Sequence, residues 1–167
     1  IVRQAGPDDH RQLNDVMRRA SLAVESGKVL RELLQNPQLL EVDPSLLSCG
    51  QVVLAESDGI PIGFASFTLT SSIEAELDGM FVDPIHWRRG VGRMIFEALE
   101  RELGDRCVRR VRVVAGAQAV DFYRSVGFSV IGEEKTPLGP TVPVMIKTLL
   151  SQVLASGVPK NVRSIPV

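Results

Sequence analysis

Residues 87–93 read Trp-Arg-Arg-Gly-Val-Gly-Arg and stand directly before a run with helical periodicity. Glycine weakens a helix interior, and positive charge sits badly against the dipole at a helix start. An anion resolves the conflict. The first N–H groups of a helix lack intrahelical partners, and the dipole adds about half a positive charge there. With no Cβ at Gly90 or Gly92, a phosphate could approach the amides of Arg88 through Arg93 closely, with the arginines adding charge. This is not a Walker A loop, because no Lys-Ser/Thr follows Gly92. Nor is it a dinucleotide fingerprint, because Ile95 stands where the third glycine would be. Read alone, the two glycines also fit a turn that simply needs glycine.

A second group lies just upstream. In "IEAELDGM" strand alternation puts Glu74, Glu76 and Asp78 on one face and Ala75, Leu77 and Gly79 on the other. Three carboxylates sharing a face are expected to repel, to raise one another's pKa and to attract a cationic amine. A solvated strand face is the alternative for each.

The elements that must hold these groups follow from periodicity. Asp8 or Asp9 can cap a helix with Leu13, Val16, Met17 and Ala20 on one face, and residues 28–40 form a second helical patch interrupted at Pro37. Two strand-like runs joined at Asp58-Gly59 predict a hairpin, and a third strand ends at Pro84. The long helix, from about Arg89 to Leu103, carries Val91, Ile95, Leu99 and Leu103 at spacing four, with Gly104 as its expected stop. "RRVRVVAG" is a further strand and "AQAVDFYRSVG" a short helix ended by Gly127. "FSVIGEE" and "TVPVMIKTLL" supply the last two strands. This order predicts an α/β (α+β) domain over residues 1–150, one mixed sheet with helices packed on it. From about Ser151 the chain has no periodicity and two prolines, and residues 151–167 are expected to be a tail that drapes over the surface or is mobile.

The bulk numbers favour one soluble globular domain, with 44% hydrophobic and 23% charged residues among 167. A net charge of −1 gives no global reason to expect nucleic acid or anionic lipid as a partner. Yet Arg88, Arg89, Arg93, Arg101, Arg106, Arg109, Arg110 and Arg112 crowd into residues 88–112, which suits a small anionic ligand or else a solvated basic face. Cys49 and Cys107 are far apart, and with His10 and His86 they lack metal-ligand spacing, so neither a disulfide framework nor a metal site is expected. With no apolar run of membrane-spanning length and no signal-peptide pattern, the expected location is cytoplasmic.

Taken together, "AELDGMFVDPIHWRRGVGRMIFEALE" and, about thirty residues later, "AVDFYRSVGF" resemble the acyl-CoA-binding core of the GNAT-type N-acetyltransferases. The likeness covers about residues 50–150. It implies a twisted mixed sheet of about six to seven strands flanked by about four helices, splayed between strands 4 and 5. In that family a Q/R-x-x-G-x-G/A loop wraps the CoA pyrophosphate. Arg88, Gly90 and Gly92 match it, with Arg89, Val91 and Arg93 inside or beside the loop, while Trp87 stands at the Gln/Arg position. Met80, Phe81 and Val82 fall where the family pairs strand backbone with the pantetheine arm. Ala119, Phe122, Tyr123, Gly127 and Phe128 match the downstream helix, and Gly116 stands where an asparagine often contacts the cofactor.

The resemblance implies transfer of an acetyl group from acetyl-CoA to a primary amine by direct attack in a ternary complex, without a metal. Tyr123, the chain's single tyrosine, would protonate the departing sulfur; a phenol of pKa ~10 faces a thiol of ~8.5. Glu76, then Asp78, would be the base, and a backbone N–H near Phe81 or Val82 the oxyanion donor. Residues 18–48 and 132–143 would hold the acceptor. They carry no charge block that suits a polymer, so a small amine or amino-acid-like acceptor is expected, and dimerisation through the last strands stays open. The rival readings are a non-catalytic acyl-CoA-binding module and a protein or aminoacyl-tRNA acetyltransferase.

Overall fold

A computed structural model describes residues 1–150; the expected tail at 151–167 lies outside the described residues. The chain runs β1 (Val2–Gln4), α1 (His10–Val24), α2 (Gly27–Gln35), α3 (Pro44–Ser48), β2 (Val52–Ser57), β3 (Ile60–Leu69) and β4 (Glu74–Val82). It continues with α4 (Val91–Asp105), β5 (Arg110–Val114), α5 (Val120–Ser125), β6 (Ser129–Lys135) and β7 (Thr141–Thr148). The strands form one seven-stranded sheet in the order β1-β2-β3-β4-β5-β7-β6. Only β4 and β5 pair in parallel; every other neighbouring pair is antiparallel.

Each face of the sheet has its own core. On one side Val53, Phe67, Leu77 and Val113 pack against α4 and α5, whose Ile95, Phe96, Leu99, Leu103 and Tyr123 are buried. On the other, Leu54 and Phe64 meet Leu13 and Val16 of α1 and Leu47 of α3. The expected stripe on α4 is fully buried, each such aliphatic side chain contributing about 1.5–3 kcal/mol relative to exposure. The Asp58-Gly59 turn has both residues at positive φ, 51° and 77°, the twist a two-residue hairpin needs.

Three local expectations are corrected. Pro37 does not merely interrupt a helical patch: α2 ends at Gln35, and Pro37–Leu40 is a separate 3-10 turn. The five-residue α3, capped by Asp43 accepting from the Ser45 N–H, is an additional helix, which makes five rather than about four. Helix α4 also passes through Gly104. Its stop is Cys107 at φ 63°, with Val108 N–H donating to Leu103 O and Cys107 N–H to Gly104 O. Those two bonds are a Schellman motif, which any residue tolerating the left-handed region can close.

Candidate active site

Pairing between β4 and β5 begins at Glu74–Arg110 and ends at Leu77–Val113, yet β4 runs on to Val82. Beyond Leu77 the two strands part, and β4 has no strand on that side. Asp83 N–H donates to Ile62 O, so ladder alternation spends the backbone of Phe81 on Phe64. The N–H and C=O groups of Met80 and Val82 therefore turn into the gap. A cleft of about 320 Å³ occupies it, lined by residues 78–82, by Ala20, Ser21 and Val24 of α1, and by Gly116, Ala119 and Tyr123.

Residue 81 departs from its expected place. The Phe81 side chain packs against Phe64 in the second core, ring centroids 5.3 Å apart. A bulge causes this. Leu77 faces Phe67 while Gly79 faces Ser66, so two steps of β4 oppose one of β3, and Asp78 is the extra residue. Strict alternation through residue 82 is thereby broken.

The bulged Asp78 accepts from Thr68 Oγ1 at 2.9 Å. Its side chain is open to solvent, yet enough protein surrounds the carboxyl for desolvation to raise its pKa above the usual carboxylate range. The Thr68 bond opposes this, and the charges of Glu76 and Asp43 add to it. The expectation of three unpaired carboxylates is corrected here. Glu74 pairs with Arg110, and Glu76 with Arg112 at 2.6 Å, while Arg112 also holds Glu134 at 2.5 Å. The parallel register sets arginine opposite glutamate at both rungs. Asp78, one step past the last rung, keeps its carboxylate without a cationic partner among the described residues.

Tyr123 is 5% exposed, lies edge-on to Phe122 and Phe128, and borders the cleft. Burial pushes its phenol above the ordinary value, so it stays protonated at neutral pH. Its hydroxyl has no hydrogen-bond partner among the described residues.

The glycine loop is built differently from its expected logic. Gly90 is the N-cap of α4 at φ 79°, with open space where a Cβ would project. Arg88 also takes positive φ, 59°. A Cβ on Gly92, however, would meet the Phe122 ring at 3.3 Å, so this glycine also makes room for α5. The Val91 side chain is buried in the core. Arg93 donates to Ser125 O at 3.3 Å, which leaves Arg88 and Arg89 exposed at the loop. Farther along the arginine run Arg106 is structural: it binds Glu102 and Gly50 O and lies over the Phe67 ring.

Two contacts had no sequence-level expectation. Trp87 is 40% exposed and donates from Nε1 to Val82 O at 2.7 Å, at the cleft. The indole thus binds one of the carbonyls that the parted strands leave free. Asp83, 6% exposed, is bonded by Arg19 at 2.7 Å, which ties α1 to the end of β4. The Asp83-Pro84 step was a readable cap signal, and Ile85 N–H does donate to Asp83; its partner on α1 was not readable. No helix among the described residues is long and apolar enough to cross a membrane, and none of their His, Cys, Asp or Glu groups is arranged to hold a metal.

The fold as a whole is shared with solved structures, and parts of the sequence with curated relatives. The PaiA N-acetyltransferase of Thermoplasma acidophilum, solved in complex with coenzyme A, superposes with a TM-score of 0.73 at 19% identity, covering 89% of this chain and 98% of that one. A chloroplastic GCN5-related N-acetyltransferase 2 of Arabidopsis thaliana is 34% identical over 67 residues, 40% of this chain and 26% of the relative. A chloroplastic serotonin N-acetyltransferase 2 of Oryza sativa subsp. japonica is 26% identical over 117 residues, 70% of this chain and 54% of the relative. The chain thus spans about a quarter to a half of these relatives' lengths. The profile of the acetyltransferase (GNAT) family matches residues 17–128, two thirds of the sequence, and the chain belongs to that family.

Proposed function

We propose that this protein transfers an acetyl group from acetyl-CoA to the primary amine of a small acceptor, by direct attack in a ternary complex. The observation that carries the reading is the cleft where β4 leaves β5, edged by the free N–H groups of Met80 and Val82 and bordered by both Asp78 and Tyr123. Acetyl-CoA would supply an acyl group activated as a thioester.

The protein's own groups then divide the work. The Val82 N–H offers a strand-like hydrogen bond to the amide-bearing arm of the donor, and the amides at the start of α4, with Arg88 and Arg89, bind its phosphates. Asp78 attracts the acceptor's ammonium, which gives up one proton to solvent so that the neutral amine can attack, and Asp78 takes the second as the C–N bond forms. A carboxylate suffices as base, because the nitrogen proton becomes strongly acidic as the C–N bond forms. The free Met80 N–H, rather than one at Phe81, faces the developing oxyanion. Tyr123 O–H donates to the departing sulfur. The burial that raises the phenol's pKa disfavours a free thiolate in the same cleft, so donor and leaving group shift together.

The test is thermal shift followed by thiol release. Acetyl-CoA should raise Tm in proportion to the logarithm of its concentration above Kd, with no rise for ATP or NAD, and CoA should be released when an amine is added. A Tm rise without release from any amine would favour the non-catalytic binding module. Release with aminoacyl-tRNA or protein tails alone would move the acceptor to a macromolecule.

A further inference from the structure

A second cavity lies on the other side of Asp78. It encloses about 310 Å³ between α1, the segment leading into α3, β3 and β4, at the lower end of the ~300–1,000 Å³ typical of small-molecule sites. Its walls are apolar at Met17, Phe64 and Phe81, the last two in mutual contact. Glu41, Asp43 and Asp78 supply its carboxylates, and no Lys, Arg or His lines it. Asp78 borders both this cavity and the donor cleft, so the bulge sets one carboxylate at their junction.

The placement of Glu41 and Asp43 is fixed by α1. The residue between them, Val42, has its N–H bound by Asn14 Oδ1 and its carbonyl by His10 Nε2, both at 2.8 Å. The two acids are thus carried by a clamped segment. Asp43 also caps α3, a role asparagine performs equally well.

We propose that this cavity seats the acceptor, and that the acceptor is a compact primary amine with an apolar body and no carboxylate of its own. The inference rests on the acetyl-transfer reading and narrows it. A cationic amine with an aromatic or alkyl body satisfies walls and charges together. An α-amino acid brings a carboxylate within a few ångströms of the reacting nitrogen, against three like charges and no cation.

The test compares matched pairs in the thiol-release assay: 2-phenylethylamine against phenylalanine, and tyramine against tyrosine. Acetyl-CoA thermal shift is run on the same samples. The amines should exceed their amino acids in kcat/KM by at least ~10-fold. Glu41→Gln and Asp43→Asn should each raise KM for the amine with kcat nearly kept, and the double variant should narrow the amine-to-amino-acid ratio. Amino acids used as well as amines, no turnover of either amine, or an unchanged KM in a folded double variant would overturn the inference. If the acetyl-CoA shift persists in that case, only the acceptor assignment fails; if it is absent, the acetyl-transfer reading fails too.

Discussion

At the residue scale the proposed chemistry is divided between Asp78 and Tyr123, and their environments make different variants separable. Tyr123→Phe keeps the ring contacts with Phe122 and Phe128 but loses the hydroxyl. It should lower kcat by about 10²-fold while leaving the acetyl-CoA thermal shift intact, as general-acid deletions do. Asp78 must be ionised to act, and desolvation raises its pKa. Activity should therefore rise with pH on a limb lying above the ordinary carboxylate range, and Asp78→Asn should remove that limb along with most of kcat. Glu76→Gln is the contrast. Glu76 is committed to Arg112, which retains Glu134, so kcat should stay within ~3-fold, and the loss of a part-exposed pair should cost ~1 kcal/mol or less. In sequence, Glu76 ranks ahead of Asp78 as the base, two residues away on the same strand. Only the β4–β5 register shows which has a partner.

At the element scale, features set by neighbours in sequence were legible, and those set by distant neighbours were not. Asp58-Gly59 specifies its own turn, and the spacing on α4 specifies its own buried face. Gly104 was mistaken for the end of α4 because glycine favours that position without requiring it; Cys107 closes the helix instead. Gly90 and Gly92 looked alike in the loop yet serve separate needs. Gly90→Ala places a side chain at φ 79° with no steric contact, so its cost should be backbone strain alone, ~1–2 kcal/mol. For a chain of this size that lowers Tm by ~2–8 °C, measurable by calorimetry. Trp87 had no sequence account. Its indole bonds Val82 O at the edge assigned to the donor. It is the only tryptophan, so acetyl-CoA should change the protein's tryptophan emission, and Trp87→Phe should abolish that signal while binding persists.

At the scale of the whole molecule, the sheet order and its opening follow from one parallel pair in an otherwise antiparallel sheet. β4 continues for five residues, Asp78 to Val82, past its last pair with β5, and in the proposed reading that free edge serves as a binding surface instead of an exposed liability. The sheet and its opening were expected from the likeness of "AELDGMFVDPIHWRRGVGRMIFEALE" and "AVDFYRSVGF" to a known family. The periodicity of the strands alone predicted a mixed sheet but no gap. Neither source indicated the bulge at Asp78 or the second cavity, because both depend on how β3 meets β4. Backbone amide NMR on the titrated protein tests the central claim most directly. On addition of acetyl-CoA the largest shifts should fall at Met80 and Val82 and at the amides of residues 88–93. Shifts confined to β6 and β7, or none at all, would contradict the assignment of the β4–β5 cleft as the donor site.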